Sequence, residues 1–385
     1  MLVFTLLSSS ALILAQDSRM IKGKTIRVPF DASNFDTSER TTTFLKFEGR
    51  QVMKIGQSPS RQTIPVTLKK LTFTSGTIEF DGRPADNNFE DEIGINFHQR
   101  DRYNYESLYL RTQTDETVQR NNAIQYAPFI HGVNLWDIMK PYRGYAEIYN
   151  DRWNHFKLVI SGRQMFVYIN SNVPTLKVSR LEGNFASGAI SFDGNAMFAN
   201  LVIQPGVTAD LSPAEGLDWT DNDPNYLRKW HVSEPHNLSK NQELTTDDLP
   251  ADSTHWALIR SERRGLINLS RQFQGPELTS YPKSRRYVWL KTNIRSNRKQ
   301  NVRMQLGFNK EVYVFINRKP LFFDKNEAGQ AYQKFPGGLL DIANIAFQLP
   351  LTEGNNELLI GIAVQNYGWG IVARIESLQD LFIDK

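Results

Sequence analysis

The sequence predicts an all-β protein, two antiparallel β-sandwich jelly rolls in tandem, on three observations. Short runs of alternating or β-branched apolar residues recur along the chain, bounded by Gly, Asn, Asp and Pro. Stretches of helical period with caps are nearly absent. The 385 residues exceed the size at which one core usually keeps growing, which favours two domains over one. A strand with one apolar face needs a second sheet to bury it, so many short strands argue for sandwiches.

The first fifteen residues, ending in Ala-Leu-Ile-Leu-Ala15, are apolar, too short to span a bilayer and of signal-peptide length. Cleavage after Ala15 is the expectation, although the run begins with no Lys or Arg. No later segment is a continuous apolar run long enough to span a membrane.

From residue 22 to residue 204 the pattern is strand and turn, clearest at Ile64-Pro-Val-Thr-Leu, Gly76-Thr-Ile-Glu-Phe, Glu92-Ile-Gly-Ile-Asn-Phe, Ser107-Leu-Tyr-Leu-Arg, Phe156-Lys-Leu-Val-Ile and Met165-Phe-Val-Tyr-Ile. Leu135-Trp-Asp-Ile-Met allows one short turn, which Pro141 stops. Residues 205–224, rich in Pro, Asp and Gly without periodicity, read as a linker crossed by few contacts. A cut near Asp221 should then give two fragments that each fold. Strand signals resume over 225–385, from Trp230-His-Val-Ser to Gly370-Ile-Val-Ala-Arg-Ile, with Asn317-Arg-Lys-Pro as a hairpin end and Gly354-Asn-Asn as a tight turn.

Composition narrows the function classes. There are no cysteines, which removes disulfide scaffolds, thiolate metal sites and cysteine nucleophiles together. Export without cysteines suits a bacterial envelope or secreted protein. The six histidines include no pair at the i, i+4 spacing of a helical zinc site, so no metal site is assigned. Calcium at loop acids such as Asp91 or Asp101 is the one cofactor left open. A net charge of +4 is too dilute to argue for nucleic acid.

The ordered motifs Gly76-Thr-Ile-Glu-Phe, Gly94-Ile-Asn-Phe, Tyr103-Asn-Tyr-Glu-Ser-Leu-Tyr-Leu-Arg, Gln125-Tyr-Ala-Pro, Trp153-Asn-His-Phe-Lys-Leu-Val-Ile-Ser-Gly and Ala189-Ile-Ser-Phe resemble the concanavalin A-like lectin/glucanase superfamily over residues 30 to 205. The nearest branch is similar to the laminin-G-like jelly rolls and the 3-keto-disaccharide hydrolase group. Val312-Tyr-Val-Phe-Ile-Asn, Leu349-Pro-Leu-Thr-Glu-Gly-Asn-Asn-Glu-Leu and Gly368-Trp-Gly-Ile-Val-Ala-Arg resemble a galactose-binding-like jelly roll over residues 225 to 385. The resemblance implies a glycan or glycoconjugate partner. Fold likeness by itself assigns no activity.

Retaining glucanases of the first fold carry a strand motif Glu-x-Asp-x-x-Glu, whose glutamates are nucleophile and acid/base. Here Glu79-Phe-Asp81 supplies its first two positions, but Pro84 stands at the last. Strand alternation puts Glu79 and Asp81 on the face opposite the core. It also aims Glu106 with Leu108 and Leu110, where a carboxylate must be neutral, at a strand end, or paired, with Arg100 or Arg111 as the partners at hand. Glu79 and Glu106 are therefore the candidate catalytic carboxylates. Tyr105, Tyr109, Arg111, Gln125, Tyr126 and Trp136 are the candidate ligand-binding groups, because sugars suit aromatic platforms flanked by fixed donors and acceptors. Trp153 belongs either with them or in the sandwich core, and Trp369 either at a loop tip or at a tucked strand edge. The function expected is an exported carbohydrate-recognition or interaction protein without a complete catalytic motif. A glycoside hydrolase of the 3-keto-disaccharide hydrolase type and a structural envelope protein are the alternatives.

Overall fold

The structure is a computed structural model that describes residues 23–37, 40–56, 65–85, 92–112, 123–239, 241–273 and 284–383. The cleavage site expected after Ala15 and the calcium candidate Asp91 lie outside the described residues. The chain is nearly all β, with antiparallel sheets throughout, and its sole α-helix among the described residues is Leu269–Gln272. No helix among them is long and apolar enough to cross a membrane.

Alternation builds the first sandwich. Along Gly76–Pro84, Ile78 and Phe80 are buried while Glu79 and Asp81 reach the surface. That strand lies inside an eight-stranded sheet between Asn154–Ser161 and Ala196–Pro205, a partner far along the chain. The facing eight-stranded sheet runs Ile124–Ile130, Asn104–Arg111, Glu92–Asp101, Ala189–Asp193 and Val66–Leu68 through its centre. Phe80 stacks on Phe156 at 4.6 Å and meets Phe192 of the facing sheet edge-on at 5.3 Å. Burial of such rings, at about 25 cal/mol per Å² of apolar surface, is what holds the two sheets face to face.

The second sandwich pairs a sheet centred on Ser284–Ser296, Gly354–Val364 and Lys310–Ile316 with a four-stranded sheet of Leu266–Asn268, Gly370–Ile375, Gln300–Phe308 and Ile345–Leu351. Val288, Ile362 and Val314 face Leu306, Phe308 and Ile371 across its core. On the outer side of the larger sheet, Trp289, Tyr313 and Phe315 are covered by Leu238 and Leu244. Asn317 and Arg318, both at positive φ, make the two-residue turn of the hairpin between Lys310–Ile316 and Lys319–Asn326. Trp369 is fully buried at the edge of Gly370–Ile375, its backbone bonded to Leu269 and Ser270.

The expectation of few contacts across the linker does not hold. Ile130, Val133, Leu135, Ile138 and Met139 belong to the same apolar cluster as Trp369, Leu269 and Ile267 of the second sandwich. The turn at Leu135-Trp-Asp-Ile-Met thus finds its core in the other half of the molecule. The linker itself is pinned from both sides, with Arg163 donating to Pro213 O and Arg263 to Gly216 O. A chain cut near Asp221 is accordingly expected to yield fragments that remain associated on size-exclusion chromatography. Two fragments that elute apart and each melt cooperatively would contradict this shared core.

Candidate functional site

Two faces of one strand divide the candidate residues. Along Asn104–Arg111, Glu106, Leu108 and Leu110 turn into the core, and Tyr105, Ser107, Tyr109 and Arg111 turn to the outer face of their sheet, about 7 Å apart per step. Cross-strand register fills in the neighbours. Ser107 sits between Ala127 and Asn96, and Asn96 lies opposite Ser191, which lies opposite Thr67. This row of short side chains crosses the outer side of the sheet but is closed to solvent, with Asn96, Ser107 and Ser191 all buried and Asn96 Nδ2 donating to Ser191 Oγ at 3.3 Å.

At one end of this row stand Tyr109, Gln125, Arg111 and Arg143, Gln125 pairing with Tyr109 on one side and Arg143 on the other. The Arg111 guanidinium donates to Gln125 Oε1 at 2.8 Å, lies 5.0 Å over the Tyr109 ring, and comes within 3.9 Å of Glu92. Its side chain is 26% exposed, so the fork is oriented yet open to solvent. Tyr109 is 7% exposed, and burial pushes its phenol up to about 12, so it stays a protonated hydroxyl. At the other end Tyr105 stacks on Phe129 at 4.7 Å and is itself buried, leaving the Phe129 face outermost. Two carboxylates share this outer face, Glu92 and Asp193, the latter held by Arg40 at 3.0 Å.

The structure brings Tyr109, Arg111 and Gln125 together and separates the other candidates. Tyr105 is on the expected face but is no exposed platform. Tyr126 follows Gln125 along the strand, so its side chain points the opposite way, into the core. There its hydroxyl donates to Glu106 Oε2 at 2.6 Å and accepts from Glu182 N at 2.6 Å. Glu106 therefore pairs with neither Arg100 nor Arg111; its carboxylate is held by Tyr126 and by Gly183 N at 3.2 Å. Burial pushes the Glu106 carboxyl up to about 7, and its Oε1 has no hydrogen-bond partner. A Cβ at position 183 would lie 2.6 Å from that oxygen, so any side chain there would have to displace the Glu106 carboxyl.

Glu79 lies on the outer face of the other sheet. His155 sits between it and Asp81, at 3.5 Å from Glu79 and 2.9 Å from Asp81, and the bond to Asp81 raises the imidazole above its ordinary range. Glu79 and Glu106 thus occupy different sheets and opposite environments, and they cannot flank one scissile bond. Trp153 joins neither the Arg111 cluster nor the sandwich core. It lies on that same outer face against Phe47 and Arg50, with Nε1 donating to Glu48. Trp136 stands at the junction of the halves, its ring 5.8 Å from that of Tyr367. Asp101 accepts from Tyr103 N and Asn104 and closes a tight turn. Among the described residues no group of three His, Asp or Glu side chains could hold a metal ion.

Sequence reasoning missed Asn96, Ser191, Arg143 and Phe129 as residues of this outer face. The signal for Asn96 was legible, because Glu92-Ile-Gly-Ile-Asn-Phe alternates and places Glu92, Gly94 and Asn96 on one face.

No protein-family model matches the chain, and no curated protein does. Among solved structures, the carbohydrate-binding module CBM66 of Bacillus subtilis is 15% identical, over 43% of this chain and 95% of that one, with a TM-score of 0.32. A galectin-like protein of unknown function from Bacillus subtilis is 16% identical over 43% and 87%, also at 0.32. The β-glucanase of Bacillus licheniformis is 10% identical over 48% and 98%, at 0.33. Likenesses at these values decide nothing about ligand or activity, which rest on the chain's own residues.

Proposed function

We propose that this chain is a carbohydrate-binding protein that takes a glycan on this outer face of the first sandwich. The observation that carries the reading is the Arg111, Gln125 and Tyr109 cluster. It is a planar guanidinium, oriented by an amide and an aromatic ring and still open to solvent, at the end of a row of buried small polar side chains. A sugar presents hydroxyls in pairs, so a rigid, solvent-open fork of donors suits it. Arg143 adds a second cation and Phe129 an apolar stop at the far end.

A glycan array probed with the full chain, beside a chromogenic glycoside panel, tests the reading. Saturable glycan binding without turnover supports it. Turnover that disappears in Glu92→Gln would instead select the hydrolase alternative, with Glu92 and Asp193 as the carboxylates on the same outer face. No binding to any glycan would leave the structural alternative.

A further inference from the structure

A concavity opens on the other sandwich, where the apolar cover over Trp289 and Tyr313 ends. It is a small, shallow cleft open to solvent on one side, walled by Arg285, Lys310, Glu311, Lys325, Glu327 and Tyr332. Strand register assembles it, with Glu311 opposite Ala363 on one side and Lys325 on the other.

The walls are fixed by mutual contacts. Glu311 pairs with Arg285, lies 3.4 Å from Lys325 Nζ and accepts from Tyr313 OH at 3.1 Å. Glu327 pairs with Lys310 at 3.2 Å and accepts from Tyr332 OH at 3.3 Å. Lys310 also reaches Asp137 of the first half at 3.7 Å. Three cations therefore face three carboxylates, and the set is closed in charge. Above it stand exposed aromatic surfaces, Tyr332 at 42% and Tyr367 at 41%. Tyr367 is positioned by Lys310 beneath its ring at 5.4 Å and by Trp136 of the first half at its edge.

We propose that the mouth of this cleft is a second sugar site, taking a neutral hexose unit against its aromatic rim and built by the second half of the chain, with Asp137 and Trp136 of the first half supporting Lys310 and Tyr367 from behind. Each ion pair offers a carboxylate beside an ammonium or a guanidinium, which a vicinal diol satisfies by donating to one oxygen and accepting from the neighbouring N–H. A charged ligand of either sign would leave one member of the closed set unpaired, which penalises it relative to a neutral one. The side chains are already held, so little rotamer freedom is lost on binding, and the aromatic rim supplies the face against which a sugar ring stacks. The proposal shares the ligand class of the Arg111 reading and none of its residues.

Titration calorimetry of the full chain with lactose, cellobiose, maltose and xylobiose, and with galacturonate as the charged probe, tests it. In the Arg111→Lys background, at least one neutral probe is expected to bind and to lose at least tenfold in affinity on adding Tyr332→Ala. Glu327→Gln, which keeps the volume of the wall, is expected to weaken the same probe. An unchanged affinity for every neutral probe in both cleft variants overturns the proposal, as does tighter binding of galacturonate than of the neutral probes. If Arg111→Lys has no effect while Tyr332→Ala abolishes binding, the Arg111 reading fails and the cleft stands. No binding of any neutral probe to the unaltered chain overturns both. Melting curves of the variants show that each is folded.

Discussion

Replacing Asp137 by alanine is expected to lower the stability of the chain by about 3 to 5 kcal/mol, the cost of removing one partner from a buried ion pair. Asp137 is the most buried charge in the seam between the sandwiches. Its Oδ1 accepts from Gly368 N at 2.9 Å, and its Oδ2 accepts from Asn309 Nδ2 at 3.3 Å and faces Lys310 Nζ at 3.7 Å. Burial pushes its carboxyl up to about 6, against the pull of Lys310 and the bond from Gly368. Without it, Gly368 N loses its acceptor and Lys310, itself largely buried, keeps Glu327 as its remaining carboxylate. Asp137→Asn retains acceptor and shape, and should lose less. Denaturant unfolding at neutral pH measures both; a loss below about 1 kcal/mol in Asp137→Ala would mean the seam carries little of the stability.

The second large effect is a pH dependence centred on Glu106. Its carboxyl titrates near 4.5 in the unfolded chain and at about 7 in the fold, because burial disfavours the anion more than Tyr126 and Gly183 favour it. Between those values the folded state holds a proton that the unfolded state has released. Stability from this group is therefore greatest below the unfolded value and falls as pH rises towards the folded one. Glu106→Gln cannot titrate. The stability difference between variant and parent should shift by about 3 kcal/mol in favour of the variant between pH 4 and pH 8, at 1.36 kcal/mol per unit. A difference that stays flat across that range would place Glu106 outside the dry core.

Strand periodicity made much of this legible. Gly76–Pro84 and Asn104–Arg111 alternate in the sequence as they do in the sheets, and that alternation alone sorts Glu79 from Ile78 and Glu106 from Tyr105. It names a face and never a neighbour. Glu106 finds Gly183, 77 positions on, and Leu135 finds the core of the other sandwich, because both contacts depend on how distant segments fold back. Tyr126 cannot share a face with Gln125, because adjacent residues on a strand point to opposite sides of the sheet. Tyr105 was on the right face, but its stacking partner Phe129 comes from the next strand and buries it.

The outer-face site itself is tested most directly by Arg111→Lys. Arg111 is partly exposed, and its partner Gln125 is neutral, so replacing the fork by a single ammonium leaves no buried charge stranded. The melting temperature should change by no more than the few degrees that about 1 kcal/mol produces in a chain of this size. Affinity for a glycan found on the array should fall at least tenfold, since one ammonium cannot make the paired donor contacts. Calorimetry with that glycan and a thermal melt, on parent and variant side by side, give both numbers. Weakened binding at an unchanged melting temperature is the expected result, and unchanged affinity with a large loss of stability would contradict the assignment of the site.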